Sequence, residues 1–151
     1  TFDPTVNLDN NKSYTITVTT GVKDAAGNAL AAQSTSTFTT ELDVTAPTVT
    51  ATSPINNATG VAVGSAVTVT FSEQMDATTI TGTTFTLKTT TGDVAVAGVV
   101  SYNGTSHVAT FTPSGALTAG TNYTATVTTG AKDLAGNALL GDFTFKFTTA
   151  P

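Results

Sequence analysis

Alternation of apolar and polar residues runs through several short segments in the second half of the chain. Within 66–71, valine or phenylalanine alternates with threonine. The segments 122–129 and 142–149 repeat the pattern, the second with phenylalanine at every other position. Because successive side chains of a strand point to opposite faces, this alternation predicts strands with one buried and one solvated face.

Turn residues separate further segments of the same kind at the spacing of a β-sandwich. The pattern predicts seven strands, at 47–52, 66–71, 83–89, 94–101, 106–112, 122–129 and 142–149. One short helical turn is predicted at 76–80 with Asp76 as its cap, and no longer segment has helical periodicity. The expected fold class is all-β: a seven-stranded immunoglobulin-like or fibronectin III-like sandwich.

The chain also contains an internal repeat. The run TFDPTVNLDNNKSYTITVTTGVKDAAGNAL at 1–30 returns as TFTPSGALTAGTNYTATVTTGAKDLAGNAL at 110–139, with a constant offset of 109 positions. No insertion or deletion therefore separates the two copies. A period of this length is the size of one sandwich domain.

The repeat predicts two domains of unequal completeness. Residues 1–42 are expected to be the C-terminal part of a preceding Ig-like repeat, and residues 43–151 to form a complete one. The segment ELDVTAP at 41–47 suits an exposed linker. The last strands of a sandwich cannot close a core alone. We expect the strands in 1–42 to be completed by another copy of the chain or by a preceding part of a continuous array.

Tyr123 allows two interpretations. A tyrosine at the start of this strand is often a corner residue, whose hydroxyl bonds back to the preceding loop. The alternative is an ordinary core tyrosine.

Composition limits the kinds of partner and site that are expected for this chain. Charged residues make up 10% of the chain and the formal net charge is −5. Such a surface repels phosphate backbones and anionic lipid, so neither nucleic acid nor membrane insertion is expected. The absence of cysteine excludes disulfides, thiolate metal sites and a cysteine nucleophile.

Three motifs carry a family resemblance. TAPTVTATSP at 45–54, TGVAVGSAVTVTFSEQMD at 59–76, and TNYTATVTTGAKDLAGNAL at 121–139 with a closing FTFKFTT resemble the bacterial Ig-like domain of the SbsA S-layer type. The resemblance covers 44–150, and the first 40 residues match the family's final third. It implies an extracellular, tandemly repeated module of S-layer proteins, adhesins and secreted enzymes. One departure is that Ser34 and Ser36 stand where the second copy has phenylalanine. In an alternative interpretation, the last strand of the first copy is therefore a degraded remnant that stays loose.

No residue pattern indicates catalysis. His107 is the only histidine, and no triad signature or G-x-S-x-G elbow accompanies it. A passive histidine at the end of a strand is the expected interpretation. We therefore expect no enzyme activity, no catalytic residue and no organic cofactor.

Acidic residues suggest one candidate metal site. None of the ten carboxylates lies within the alternating run of a predicted strand. The sandwich topology is expected to gather several of them beside the preceding repeat, opposite its Asp9 and Asn10. Oxygen ligands from flexible loops suit Ca²⁺. The candidate ligands are Asp43, Glu73, Asp76, Asp133 and Asn137. In the alternative interpretation the carboxylates serve solubility, Lys132 neutralises Glu73, and Gly136-Asn137 closes a turn.

The function expected from these patterns is structural. The chain is predicted to be a repeat of an extracellular bacterial surface protein at the cell surface or wall, acting in an S-layer, stalk, fibre or adhesin spacer, with neighbouring copies as partners. One alternative is an adhesin or carbohydrate-binding module, for which Tyr102 is the one aromatic residue predicted to be exposed. Another is an accessory domain of a secreted enzyme.

Overall fold

The computed structural model describes residues 3–6 and 8–151, and within them the alternating segments form β-strands joined by turns. Contacts divide the chain into two units, Thr1–Val44 and Thr45–Pro151. The first unit contains β1 (Ser13–Val18) and β2 (Ser34–Thr39). The second contains β3 (Val49–Ser53), β4 (Ala58–Val61), β5 (Val67–Phe71), β6 (Phe85–Thr89), β7 (Gly98–Asn103), β8 (Val108–Pro113), β9 (Asn122–Val127) and β10 (Phe143–Thr149).

The second unit is a β-sandwich of two four-stranded sheets. Their strand orders are β3-β5-β8-β7 and β4-β10-β9-β6. All neighbouring strands are antiparallel except β4 and β10, which run parallel. The predicted all-β sandwich is therefore confirmed.

The core of the second unit comes from the inward positions of both sheets. Burial alternates along β5 and β9, as the sequence pattern predicts, because only every second residue faces inward. The Phe85 and Phe111 rings meet edge to face across the sandwich at 6.1 Å. Full burial of such a side chain stabilises the fold by about 1.5–3 kcal/mol.

An eighth strand in the second unit was not predicted. After β3 the chain leaves its sheet and joins the other, where Ala58 in β4 pairs with Phe147 in β10. This crossing places one edge strand on each sheet. The four-residue segment ATGV is too short and too interrupted by glycine to show alternation.

The strand predicted at 94–101 is divided between the two sheets. Val94 and Val96 exchange backbone hydrogen bonds with the end of β6, whereas β7, which begins at Gly98, pairs with β8. Gly98 lies at the crossing, where a Cβ atom would come within 2.5 Å of the Phe111 ring and 2.7 Å of the Thr112 carbonyl oxygen. Only glycine fits there without a shift of the neighbouring strand.

The predicted helical turn is confirmed as one 3₁₀ turn, Ala77–Thr79. The Asp76 carboxylate caps it by accepting hydrogen bonds from the Thr78 amide at 2.9 Å and the Thr78 hydroxyl at 2.7 Å. These bonds favour the charged form, and they lower the pKa of Asp76 below its ordinary value of 3.8.

The first unit is a single antiparallel pair, β1–β2, with Tyr14 opposite Phe38. The two rings stack at 5.7 Å, and the equivalent Tyr123 and Phe147 stack at 5.6 Å in the second unit. No helix in the described part of the chain is long and apolar enough to cross a membrane.

Candidate functional site

The corner tyrosine is present in both units. Tyr123 accepts a hydrogen bond on its hydroxyl oxygen from the Thr118 amide at 2.9 Å. Tyr14 accepts the equivalent bond from the Asp9 amide, also at 2.9 Å. Each bond ties the loop before a strand to that strand, so the corner interpretation of Tyr123 is confirmed, and Tyr14 forms the same kind of corner.

The D-x-x-G-N segments fold into the same closed turn twice. Asp133 accepts hydrogen bonds from the Asn137 amide and from Asn137 Nδ2, both at 2.8 Å. Asp24 accepts the same pair from Asn28, at 2.8 and 3.0 Å. The glycine between them, such as Gly136, has a φ of 94°, which strongly favours glycine. Closing this turn is thus a local role of the Asp and Asn side chains.

Hydrogen bonding also favours the charged form of Asp24 in the turn of the first unit. The pKa of Asp24 lies below its ordinary value of 3.8, chiefly because the Asn28 side chain donates to the carboxylate. Backbone amides of Asn28, Ala26 and Gly27 add to the effect. The turn therefore holds its aspartate ionised well into the acid range.

Two of the predicted cation ligands come together in the second unit. Glu73 and Asp133 each offer a carboxylate oxygen within 4.8 Å of the other, and Asp133 is buried. Asn137 donates two hydrogen bonds to Asp133 of this pair, and Asp76 uses its carboxylate to cap the 3₁₀ turn. Carboxylate oxygens that accept one hydrogen bond keep a second lone pair, so the pair still has ligand capacity.

The fifth predicted ligand, Asp43, belongs to the first unit. There its Oδ2 atom accepts a hydrogen bond from Asn10 Nδ2 at 3.1 Å. The calcium site as a whole stays a prediction.

His107 lies in the turn between β7 and β8 with a φ of 56°. The strand predicted at 106–112 included it, whereas β8 begins at Val108. Its carbonyl oxygen accepts a hydrogen bond from the Phe71 amide at 2.9 Å. The backbone of this residue therefore has a structural role in joining the turn to β5.

Tyr102 does not offer the exposed ring that the sequence suggested. Its hydroxyl accepts a hydrogen bond from the Met75 amide at 2.8 Å, and its ring meets Phe71 edge-on at 6.3 Å. Both contacts hold the ring against the protein. Tyr102 is therefore a poor stacking platform for a sugar.

Sequence reasoning missed a shallow groove of about 380 Å³ on the outer face of β6 and β9. Hydroxyl groups dominate its lining, and the Lys88–Asp93 ion pair, at 2.9 Å, lies at one side. No aromatic side chain lines it. The lining residues are Thr86, Lys88, Thr89, Thr90, Asp93, Thr124, Thr126 and Thr128.

The first unit exposes the face that its counterpart buries. Val18 and Phe38 are 40% and 41% exposed, whereas the equivalent Val127 and Phe147 are each 1% exposed. Ile16, on the same face, is 47% exposed. An apolar face of this kind marks a surface that other strands normally cover.

The family model of the bacterial Ig-like domain matches residues 1–40 and 43–149, nearly the whole chain. The chain belongs to the bacterial Ig-like domain family. The match to residues 1–40 assigns the pair β1–β2 to an Ig-like repeat as well. No curated protein matches the chain.

Solved structures share the Ig-like fold at low sequence identity. The N-terminal part of the bacterial S-layer protein SbsC is similar with a TM-score of 0.55 and 22% identity over 70% of this chain. The methionine-rich copper resistance protein PcoC from Escherichia coli has a TM-score of 0.59 and 16% identity, also over 70% of this chain and over 99% of its own. At such identities the likeness shows the fold alone. The Ig-like chain spans only 24% of that SbsC structure.

Proposed function

We propose that this Ig-like chain is a structural repeat of an extracellular bacterial surface protein, located at the cell surface or wall. Its role is to set distance and to tile, as a unit of an S-layer, stalk, fibre or adhesin spacer. The partners are neighbouring repeats of the same kind.

One observation carries the proposal: the same third of an Ig-like repeat occurs twice in one chain and folds the same way both times. The Tyr14–Phe38 and Tyr123–Phe147 stacks agree within 0.1 Å, at 5.7 and 5.6 Å. Tandem repetition of one supersecondary unit is the organisation of proteins that act through length and regular spacing.

The motifs that resemble the SbsA type support an S-layer role more specifically. The similarity to SbsC supports it through the fold only. A surface whose formal net charge is −5 suits an exposed, soluble array and disfavours binding to polyanions.

Binding and enzyme-accessory roles are the alternatives. A carbohydrate-binding module normally stacks sugars on exposed aromatic rings. Here Tyr102 is held against Phe71, and the hydroxyl-lined groove on β6 and β9 contains no ring. These observations favour the structural role.

Antibodies against residues 45–151 test the location, and a glycan array together with cell-wall sacculi tests the role. We expect the antibodies to label intact cells and the purified chain to show no saturable binding to glycans or sacculi. Labelling of lysed cells alone would contradict the surface location. Saturable binding that is lost on Thr126→Val in the groove would favour the binding module instead.

A further inference from the structure

In the second unit, one continuous segment covers the face of the β9–β10 ribbon. The opposite sheet β3-β5-β8-β7 lies over its apolar face, and β4 and β6 pair with its two edges. All of these strands lie within residues 49–113, which we call the covering strands. The ribbon residues Ala125 and Phe145 are buried as a result.

Residues 3–6 and 8–151 contain the covering strands once but the ribbon twice, as β1–β2 and as β9–β10. In this described part of the chain, β1–β2 is a two-stranded sheet with no further strand at either edge. If copies of residues 1–151 exchanged strands among themselves, each set of covering strands could serve only one of two ribbons. Half of the ribbons would then stay uncovered, so exchange among such copies cannot cover every ribbon.

One cross-strand pair differs between the ribbons in a specific way. Ala125 in β9 faces Phe145 in β10, so the large side chain is on the second strand. In the first unit the equivalent pair is Ile16 in β1 and Ser36 in β2, with the large side chain on the first strand. Directly opposed residues share a face of the ribbon, so both pairs lie on the face that needs covering.

Because the large and small side chains have swapped strands, the covering strands of residues 49–113 fit the first ribbon poorly. They pack against the small Ala125 and the large Phe145, both on the buried face. Over Ile16 they would be overpacked, and over Ser36 they would leave a cavity and a buried hydroxyl.

We propose that β1–β2 is an acceptor for the covering strands of a different bacterial Ig-like repeat, and that it discriminates against those of residues 49–113. The accepted strands carry small side chains opposite Ile16 and a large one opposite Ser36. This inference rests on the proposed function, because it assumes an array of non-identical repeats. It makes Ser36 a specificity determinant and not a sign of a degraded strand.

The first test is the oligomeric state of the 151-residue chain, measured by light scattering after unfolding and refolding at high concentration. We expect monomers. Polymers that dissociate when Ile16 and Val18 are both changed to aspartate would overturn the proposal, because a second copy would then be covering the ribbon.

The second test places the residues of the first ribbon, isoleucine and serine, at the equivalent positions of the second unit. The variants are Ala125→Ile, Phe145→Ser and the double variant, and urea unfolding compares their stabilities with that of the wild type. We expect each single change to lower the folding equilibrium constant at least about tenfold, and the double variant to stay more than about tenfold below the wild type. A double variant within about tenfold of the wild type would overturn the proposal, since the same covering strands would then accept either arrangement. If these variants do not fold, a double-mutant cycle of Ala125→Val and Phe145→Leu makes smaller changes in side-chain size at the same positions.

The third test compares trypsin cleavage after Lys12, which immediately precedes β1, in the 151-residue chain and in the protein isolated from its bacterium. A covered strand resists cleavage because it cannot enter a protease cleft. We expect cleavage at least about tenfold slower in the isolated protein. Equal rates would overturn the proposal, whereas failure of the antibody labelling alone would reject the location and leave the acceptor role standing.

Discussion

Tyr123 accepts a hydrogen bond from the amide of Thr118 at 2.9 Å, and so ties the loop after β8 to the start of β9. The ring of Tyr123 is buried, whereas Thr118 is exposed, so the bond between them is partly buried. The bond is therefore part of what fixes the last third of the sandwich.

We expect Tyr123→Phe to lower the free energy of unfolding of the second unit by about 0.5–1.5 kcal/mol, the net contribution of a typical hydrogen bond. Tyr14→Phe is the matched control, because it removes the equivalent bond from the first unit only. Urea unfolding followed by near-ultraviolet absorption of the tyrosines measures both. Equal effects of the two variants on the main transition would contradict the assignment of Tyr123 to the cooperative core.

Gly98 gives a second stability prediction. A methyl group there meets the Phe111 ring and the Thr112 carbonyl, so Gly98→Ala should cost about 1–3 kcal/mol through overpacking. Gly115→Ala is the control, since no atom lies within 4 Å of the added Cβ. Thermal unfolding of both variants tests this, and a Gly98→Ala protein as stable as the wild type would contradict the tight crossing between the sheets.

Asp76 is expected to contribute to the loss of stability of the second unit in acid. Hydrogen bonds from Thr78 hold the pKa of Asp76 in the folded state below 3.8, the value expected in the unfolded chain. The stabilisation is therefore fully present above about pH 4 and is lost as the pH falls through the lower folded-state pKa.

Asp76→Asn keeps a capping side chain but removes the titrating group. We expect its urea midpoint to fall less steeply than that of the wild type between about pH 4 and about pH 2. Parallel curves for the two proteins would show that the capping bonds of Asp76 do not depend on its charge.

The calcium prediction depends on Glu73, whose carboxylate lies beside that of Asp133. An ion bound only by the folded state raises the melting temperature. We expect Ca²⁺ to raise it for the wild type and for Asp93→Asn, a control that removes a carboxylate elsewhere, but not for Glu73→Gln. Identical melting temperatures of the wild type in Ca²⁺ and in chelator would reject the site.

Alternation along the chain was enough to predict the sandwich, because residues such as Val67 and Phe145 face the core at every second position. It could not predict β4, whose pairing with β10 depends on where the chain crosses between sheets and not on local pattern. The place of Tyr102 was missed for a similar reason. Its partner, the Met75 amide, is distant in sequence and comes close only through the turn that follows β5.

The pairing register of the strands shows which residues face each other, and the sequence pattern of a single strand does not. Read one strand at a time, Ser36 looks like a lost core position. Paired with Ile16 across the ribbon, it becomes half of an exchange of large and small side chains. Asp76 was predicted both as a cap and as a metal ligand, and the structure shows it as the cap.

Hydrogen–deuterium exchange of the 151-residue chain tests the central claim most directly. That claim is that the same third of an Ig-like repeat occurs once covered and once uncovered. We predict that amides of Asn122–Val127 exchange at least about a hundredfold more slowly than those of Ser13–Val18, because only the former lie inside a closed sandwich. Equal protection of the two strands would contradict the account.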